Sequence, residues 1–207
     1  MHLPKKGLRA CGIAESYRGR RFSTLAAVVM RKDRIIDGFA FGRVRVGGND
    51  ATDEVIRMVR DLGRRDINAI FLSGCVIAWF NVLDPDRIHD ETGFPVVCIT
   101  YEDSEGLEAD IRHHFPGDED RISAYLRLGT RTPVILPCGL TIFLRSWGMG
   151  EKEAGILVQS FIADGKIPEP LRVARICSRS AGQFFQELQP GYRDPQDKSS
   201  NTNEKKY

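Results

Sequence analysis

The stretch Ile67–Asp84, INAIFLSGCVIAWFNVLD, decides how the rest of the chain is read. Ile67 to Leu72 is a short apolar run with β-branched and aromatic residues, the pattern of a parallel strand buried on both faces. Ser73-Gly74 breaks it with two small residues. The chain then stays apolar through Cys75, Val76, Ile77, Ala78, Trp79 and Phe80, before Asn81 and the stop Asp84-Pro85. In open α/β sheets, ligands occupy the crevice beyond the carboxyl ends of the strands. A loop there that carries Trp79, Phe80 and Asn81 offers stacking faces and an amide. The plainer reading, which the sequence favours, packs Trp79 and Phe80 inside a core helix.

Working outward toward the N-terminus, Leu8–Ala14 reads as a strand, Ser16–Arg21 as a turn and Phe22–Met30 as a second strand. Arg31-Lys32-Asp33 turns the chain into a third, Arg34–Val46, in which Ile36, Gly38, Ala40, Gly42, Val44 and Val46 take alternate positions. Short connections between three strands predict an antiparallel meander. Gly47-Gly48-Asn49 ends it. Asp50 then suits the N-cap of a helix that ends at Gly63, with Asp53 in capping-box position. Toward the C-terminus, a loop or short helix runs from Ser73 to Glu91, and Pro95–Thr100 is a second buried parallel strand. Helices follow over Glu105–Phe115, capped by Asp103 or Ser104, and Glu119–Leu128. A strand pair, Pro133–Leu136 and Leu140–Leu144, and helices Glu151–Ala163 and Glu169–Leu188 complete the order. Residues 1–189 form one domain, and the polar composition of 190–207 predicts a disordered tail. Three antiparallel strands, a helix, two parallel strands and further helices follow the order of a ribonuclease-H-like fold. That fold is an α/β mixed sheet flanked by helices; the alternative is an unrelated α/β domain of the same order.

The formal net charge of +2 conceals an asymmetry. Residues 1–65 carry 15 Lys/Arg against 7 Asp/Glu, residues 66–128 carry 4 against 13, and the remainder 11 against 8. Of the 30 basic residues 22 are Arg, whose planar fork matches phosphate oxygens. A basic first third suits a polyanion such as DNA, or is simply an exposed Arg-rich ribbon. No apolar run reaches membrane-spanning length, and Met1–Arg9 lacks a signal peptide's apolar centre. The cysteines at 11, 75, 98, 138 and 177 form no C-x-x-C pair, which points to reduced core residues of a cytoplasmic protein.

The motifs resemble those of endonuclease V, a ribonuclease-H-like nuclease that cuts near deaminated bases. Residues 73–81, SGCVIAWFN, lie over that family's Asp-Gly-Gln-Gly-Ile-Ala-His-Pro-Arg, with Gly74, Ile77 and Ala78 matching. Pro95–Tyr101 falls on its Pro-Thr-Ile-Gly-Val-Ala-Lys strand, and Lys166–Arg172, KIPEPLR, on Arg-Leu-Pro-Glu-Pro-Thr-Arg. The whole chain is more similar still to the endonuclease dU family. It carries the resemblance in GGNDATDE (47–54), LSGCVIAWFN (72–81), TYEDSEGLE (100–108) and GKIPEPLRVAR (165–175). That resemblance implies an endonuclease acting at deoxyuridine, with deoxyinosine as the alternative base. Where the endonuclease V pattern has a metal-binding Asp, this chain has Ser73; where it has Lys, Tyr101; and its first-strand Asp falls at Ala14, one step before Glu15. A hydroxyl does not replace a carboxylate toward a hard cation without loss of charge.

Metal-assisted phosphodiester hydrolysis needs carboxylates that converge on Mg²⁺, with Mn²⁺ as the alternative. Glu15, Asp50 and Asp53 are the candidate metal ligands and, with Ser73, the candidate catalytic residues. Oxygen ligands sit roughly 2.1 Å from Mg²⁺, so two shared carboxylates lie within about 5 Å of each other. Each acid also has a plain structural reading, Asp50 as a cap and Asp53 and Glu54 as first-turn acids. Glu102, Asp103 and Glu105 sit at the crevice as alternatives, and His113-His114 reads as surface. Candidate substrate contacts are Gly74, Trp79, Asn81, Tyr101 and Arg172, with an extruded base stacking on Trp79 or Phe80. Arg172 and Arg175 share a helix face and either clamp phosphates or, for Arg172, pair with Glu169. The rival function is a nucleic-acid-binding module that kept the fold and lost the metal site. The oligomeric state is open.

Overall fold

The structure, a computed structural model, describes residues 7–17 and 21–187. Strands β1 (Arg9–Ser16), β2 (Phe22–Arg31) and β3 (Ile36–Arg45) form the expected antiparallel meander. Helix α1 (Ala51–Asp61) follows, then β4 (Ala69–Leu72), which pairs parallel with β1 on the side away from β2. A two-residue-a-side hairpin of β5 (Val76–Ile77) and β6 (Asn81–Val82) leads into α2 (Pro85–Thr92). Strand β7 (Val96–Thr100) lies parallel to β4. Helices α3 (Glu108–His114) and α4 (Glu119–Arg127) precede β8 (Thr132–Ile135) and β9 (Thr141–Trp147), and α5 (Glu151–Ser160) and α6 (Glu169–Glu187) close the chain. The main sheet has seven strands in the order β3-β2-β1-β4-β7-β9-β8.

The continuous apolar character of β4 and β7 follows from cover on both faces. Ile70, Leu72, Val96 and Cys98 face one core with Val55, Ile56, Met58 and Val59 of α1 and Ile88 of α2. Ala69, Phe71, Val97 and Ile99 face the other, with Ala154, Leu157 and Val158 of α5 and Leu171 of α6. Successive strand residues point to opposite faces, so both sets must be apolar. On β3 only one face is covered: Gly42 and Val44 are buried while Phe39, Phe41, Arg43 and Arg45 are exposed. Pro133, which cannot donate to a ladder, sits on the edge strand β8.

Several local expectations are corrected. The segment after Ser73 is a hairpin followed by a helix, so Trp79 and Phe80 occupy a tight turn and not a core helix. Helix α2 begins where Asp84 accepts from the Arg87 amide, with Pro85 in its first turn. Asp50 stands at the N-cap of α1, yet makes no cap hydrogen bond, so the capping box with Asp53 does not form. Neither Asp103 nor Ser104 caps α3, which starts at Glu108 after Leu107. Residues 190–207, expected as a tail, lie outside the described residues. Among the described residues, no helix is long and apolar enough to cross a membrane.

Candidate functional site

At the carboxyl ends of β1 and β4 the chain builds a turn it must hold by force. Ala78, Trp79 and Phe80 all have positive φ, at 43°, 60° and 60°. A left-handed conformation costs an L-residue roughly 1–2 kcal/mol, and three in a row persist only where the surroundings over-determine them. Here they do. The Ala78 amide donates to both oxygens of Glu15 at 3.0 Å, and the Ala78 carbonyl accepts from the Gly47 amide at 2.8 Å. Arg121 of α4 donates to the Phe80 carbonyl at 2.5 Å and to the carbonyls of Gly48 and Gly47 at 2.9 and 3.1 Å. Its guanidinium also lies over the Phe115 ring and pairs with Asp118. Asn81, fully buried, closes the turn: its amide oxygen accepts from Ala51 N–H, and its amide nitrogen donates to the Arg45 carbonyl and, at 2.7 Å, to Asp50.

This strain presents aromatic surface. Trp79 is 48% exposed, its ring 4.8 Å from His114 and 5.3 Å from Phe80. Phe80 stacks on His114, and Phe115 meets it edge-on. Tyr17, Val46, Gly47, Trp79, His114 and Phe115 line a cleft of about 440 Å³. The sequence reading placed His113-His114 on the surface, and His114 is exposed, but its ring belongs to this cleft. The missed signal is the contact between α3 and the turn, which no local pattern encodes.

The predicted acids are all engaged elsewhere. Glu15 takes the Ala78 amide and, at 2.6 Å, the Ser23 hydroxyl. Asp50 accepts from Arg45 N–H and from Asn81, and Asp53 pairs on the surface with Arg87 at 2.6 Å. Glu15 and Asp50 thus tie the two ends of one turn. Of the alternatives, Glu102 pairs with Lys166 and Asp103 with Arg131. Among the described residues, no three His, Cys, Asp or Glu groups are placed to hold a metal. The cavity that Glu15 and Ser73 line together is about 10 Å³, room for roughly one water. Mg²⁺ or Mn²⁺ does not fit this donor set, whose carboxylates are held by amide, hydroxyl and guanidinium donors.

The remaining candidates sit at the ends of β4 and β7. Gly74 turns the chain out of β4 with a φ of 91° that favours glycine. Ser73 accepts from Arg175 of α6 at 2.7 Å, and the Arg175 guanidinium lies 4.9 Å from the Tyr101 ring centre. The Tyr101 hydroxyl is buried without a hydrogen-bond partner, and burial pushes it up to about 12. Arg172 pairs with Glu169, the internal pairing its spacing allowed, and donates to the Asp164 carbonyl.

The model of the family described as endonuclease dU matches residues 6–182. A UPF0215 protein of Pyrobaculum calidifontis is 37% identical over 175 residues, 84% of this chain and 96% of the relative. A solved structure of an Archaeoglobus fulgidus protein is 26% identical with TM-score 0.73, covering 84% of this chain and 98% of that one. Endonuclease V of Ciona intestinalis, solved with a 24mer DNA containing an inosine followed by a ribo-adenosine, is similar with TM-score 0.60 at 13% identity. That match covers 87% of this chain and 88% of the other. At that identity the likeness shows a shared fold, and the fold is ribonuclease-H-like.

Proposed function

We propose, because the chain belongs to the endonuclease dU family, that it is an endodeoxyribonuclease that cuts DNA at or near deoxyuridine. The observation that carries this reading is the aromatic cleft of about 440 Å³ raised on the strained turn at the carboxyl ends of β1 and β4. A base taken out of a duplex needs a stacking surface and a space of its own size. Trp79 and His114 supply the surface, and Tyr17 and Phe115 the flanks. The complex of endonuclease V with inosine-containing DNA supports a deaminated base as the ligand. Glu15, Asp50 and Asn81 act as positioning residues that hold the turn, while Ser73, at the end of β4, faces the backbone being cut.

The test is nicking of a duplex with one central deoxyuridine, beside the same duplex carrying deoxyinosine or thymidine. Cutting confined to the deoxyuridine strand is the expected result. Trp79→Ala leaves the melting temperature nearly unchanged and weakens binding of that duplex by about 1–3 kcal/mol, the worth of one stacked base. Equal nicking of all three duplexes would refute base selection. The second reading, a binding module without catalysis, is favoured by the engagement of every predicted acid in structural bonds. It predicts tight binding of the deoxyuridine duplex with no nicking, with or without divalent cation.

A further inference from the structure

We infer that Ser73 and Arg175 form an oxyanion site for a phosphate of the DNA backbone, its positive charge supplied by the guanidinium. The inference rests on the nuclease reading for the identity of the ligand and on its own geometry for the site.

Ser73 directly follows β4, inside the sheet, at the end where α/β folds place their ligands. Arg175 reaches it across 102 residues of sequence, from α6, with a hydrogen bond of 2.7 Å. Both residues are half-buried, so the site borders solvent without being freely solvated. The Tyr101 ring beneath the guanidinium holds its plane, at 4.9 Å. The charge at this end is unbalanced. Of three cations there, Lys166 is neutralised by Glu102 at 2.8 Å and Arg172 by Glu169 at 3.1 Å. Among the described residues, no carboxylate comes within ion-pair distance of Arg175, whose one hydrogen-bonding side-chain partner is a neutral hydroxyl. The nearby negative group, Glu15, is occupied by the Ala78 amide and the Ser23 hydroxyl.

A serine that accepts from a guanidinium keeps its own proton to donate. The guanidinium uses one of its five N–H groups on Ser73 and has others left for an anion. Two converging donors, one of them charged, match the non-bridging oxygens of a phosphodiester. Tyr101, whose buried hydroxyl has no partner, leaves this side of the crevice poor in ligands for a cation, while the unpaired guanidinium compensates an anion's charge.

Inorganic phosphate is the probe, titrated into the whole chain in EDTA at constant ionic strength. The readout is the side-chain Nε–H signal of Arg175, assigned by its loss in Arg175→Gln. A saturable shift at millimolar phosphate is expected, absent with chloride and unchanged by Mg²⁺. Ser73→Asp, which gives the guanidinium a carboxylate of its own, abolishes the shift; Ser73→Ala, which removes one donor without new charge, weakens it several-fold. Arg175→Gln lowers affinity for the deoxyuridine duplex at least tenfold. An Arg175 signal that phosphate does not move, that moves only when Mg²⁺ is added, or that still responds in a folded Ser73→Asp variant would overturn the inference. If phosphate shifts the signal but the chain never nicks deoxyuridine DNA, the nuclease reading fails and the anion site stands. If the chain nicks normally while Arg175 stays silent, the site fails alone.

Discussion

A methyl group on Gly12 would lie 2.4 Å from the carbonyl carbon of Pro170 and 2.6 Å from its oxygen. Both atoms are backbone, so neither moves aside cheaply. Gly12 is therefore what lets α6 settle on β1 with Ala174 against Ala14 and Val28. Gly12→Ala is expected to destabilise the fold by about 1–3 kcal/mol, the usual cost of overpacking. For a chain of this size that lowers the melting temperature by roughly 2–4 °C per kcal/mol, read by calorimetry. Because α6 also carries Arg175 to Ser73, the same variant should disturb the phosphate response of Arg175. A melting temperature equal to wild type would show that the helix can shift freely, contrary to its contacts. Asn81 shows the opposite case, a polar residue with no surface exposure whose amide is spent on Ala51, Arg45 and Asp50. Its position in an apolar motif looked like a substrate contact, but only its partners reveal a brace.

At the scale of elements, the functional turn depends on α4 as much as on its own hairpin. Arg121 can reach Gly47, Gly48 and Phe80 because α4 starts correctly, and Asp118 sets that start. Its carboxylate accepts from the Arg121 amide at 3.0 Å and from the Arg121 guanidinium at 2.9 Å. The amide bond first, and then the guanidinium, hold Asp118 below its ordinary value of 3.8. A carboxyl whose folded pKa is depressed binds its proton more readily when unfolded. Its contribution is thus fully present above 3.8 and lost as pH falls through the lower folded value. Asp118→Ala is expected to cost about 1 kcal/mol near neutral pH, as loss of an N-cap does. Urea denaturation of both proteins should show that gap narrowing as the pH drops below 3.8. A gap independent of pH would mean that the cap's charge plays no part. Asp118→Asn, which caps nearly as well, should retain most of the stability while losing the pH dependence.

For the whole molecule, several of the described arginines of the first third are paired within the fold. Arg9 pairs with Asp37 and Asp66, Arg57 with Glu54 and Asp61, and Arg60 with Glu91 from the acidic middle third. What remains on the surface includes the uncovered face of β3, where Arg43 stacks on Phe22 at 4.5 Å beside exposed Phe39 and Phe41. A DNA contact made there and at Arg175 releases counterions from only a few phosphates. Binding of a duplex should therefore weaken with salt, with a log–log slope of about −0.9 for each phosphate neutralised. A slope of roughly −2 to −4 is expected where this face and Arg175 make the contact, measured by titration across salt concentrations. Affinity independent of salt would exclude this face and the anion site together.

The sequence by itself determined the central strands and how many of their faces are covered, while only the tertiary structure set the β8–β9 pair against β7. Continuous apolar runs at Ile67–Leu72 and Pro95–Thr100 demanded cover on both faces, and alternation along β3 demanded cover on one, which left a meander beside parallel strands as the arrangement. Burial is dictated by side-chain character at fixed periods of two and 3.6, so it is legible from order alone. The candidate site was legible only in part: the sequence singled out Trp79 and the end of β4, but neither the turn that exposes Trp79 nor the bonds that engage the acids. Glu15 and Asp50 lie 35 positions apart in sequence, and nothing local distinguishes a carboxylate that awaits a ligand from one that anchors a backbone turn. That distinction is made by which donors the fold delivers. The Ala78 amide and Asn81 reach these acids through a left-handed turn, Arg121 through α4, and Arg175 meets Ser73 through α6. Hydrogen bonds and ion pairs act over about 3–4 Å between groups far apart in the chain, so only the tertiary structure decided them.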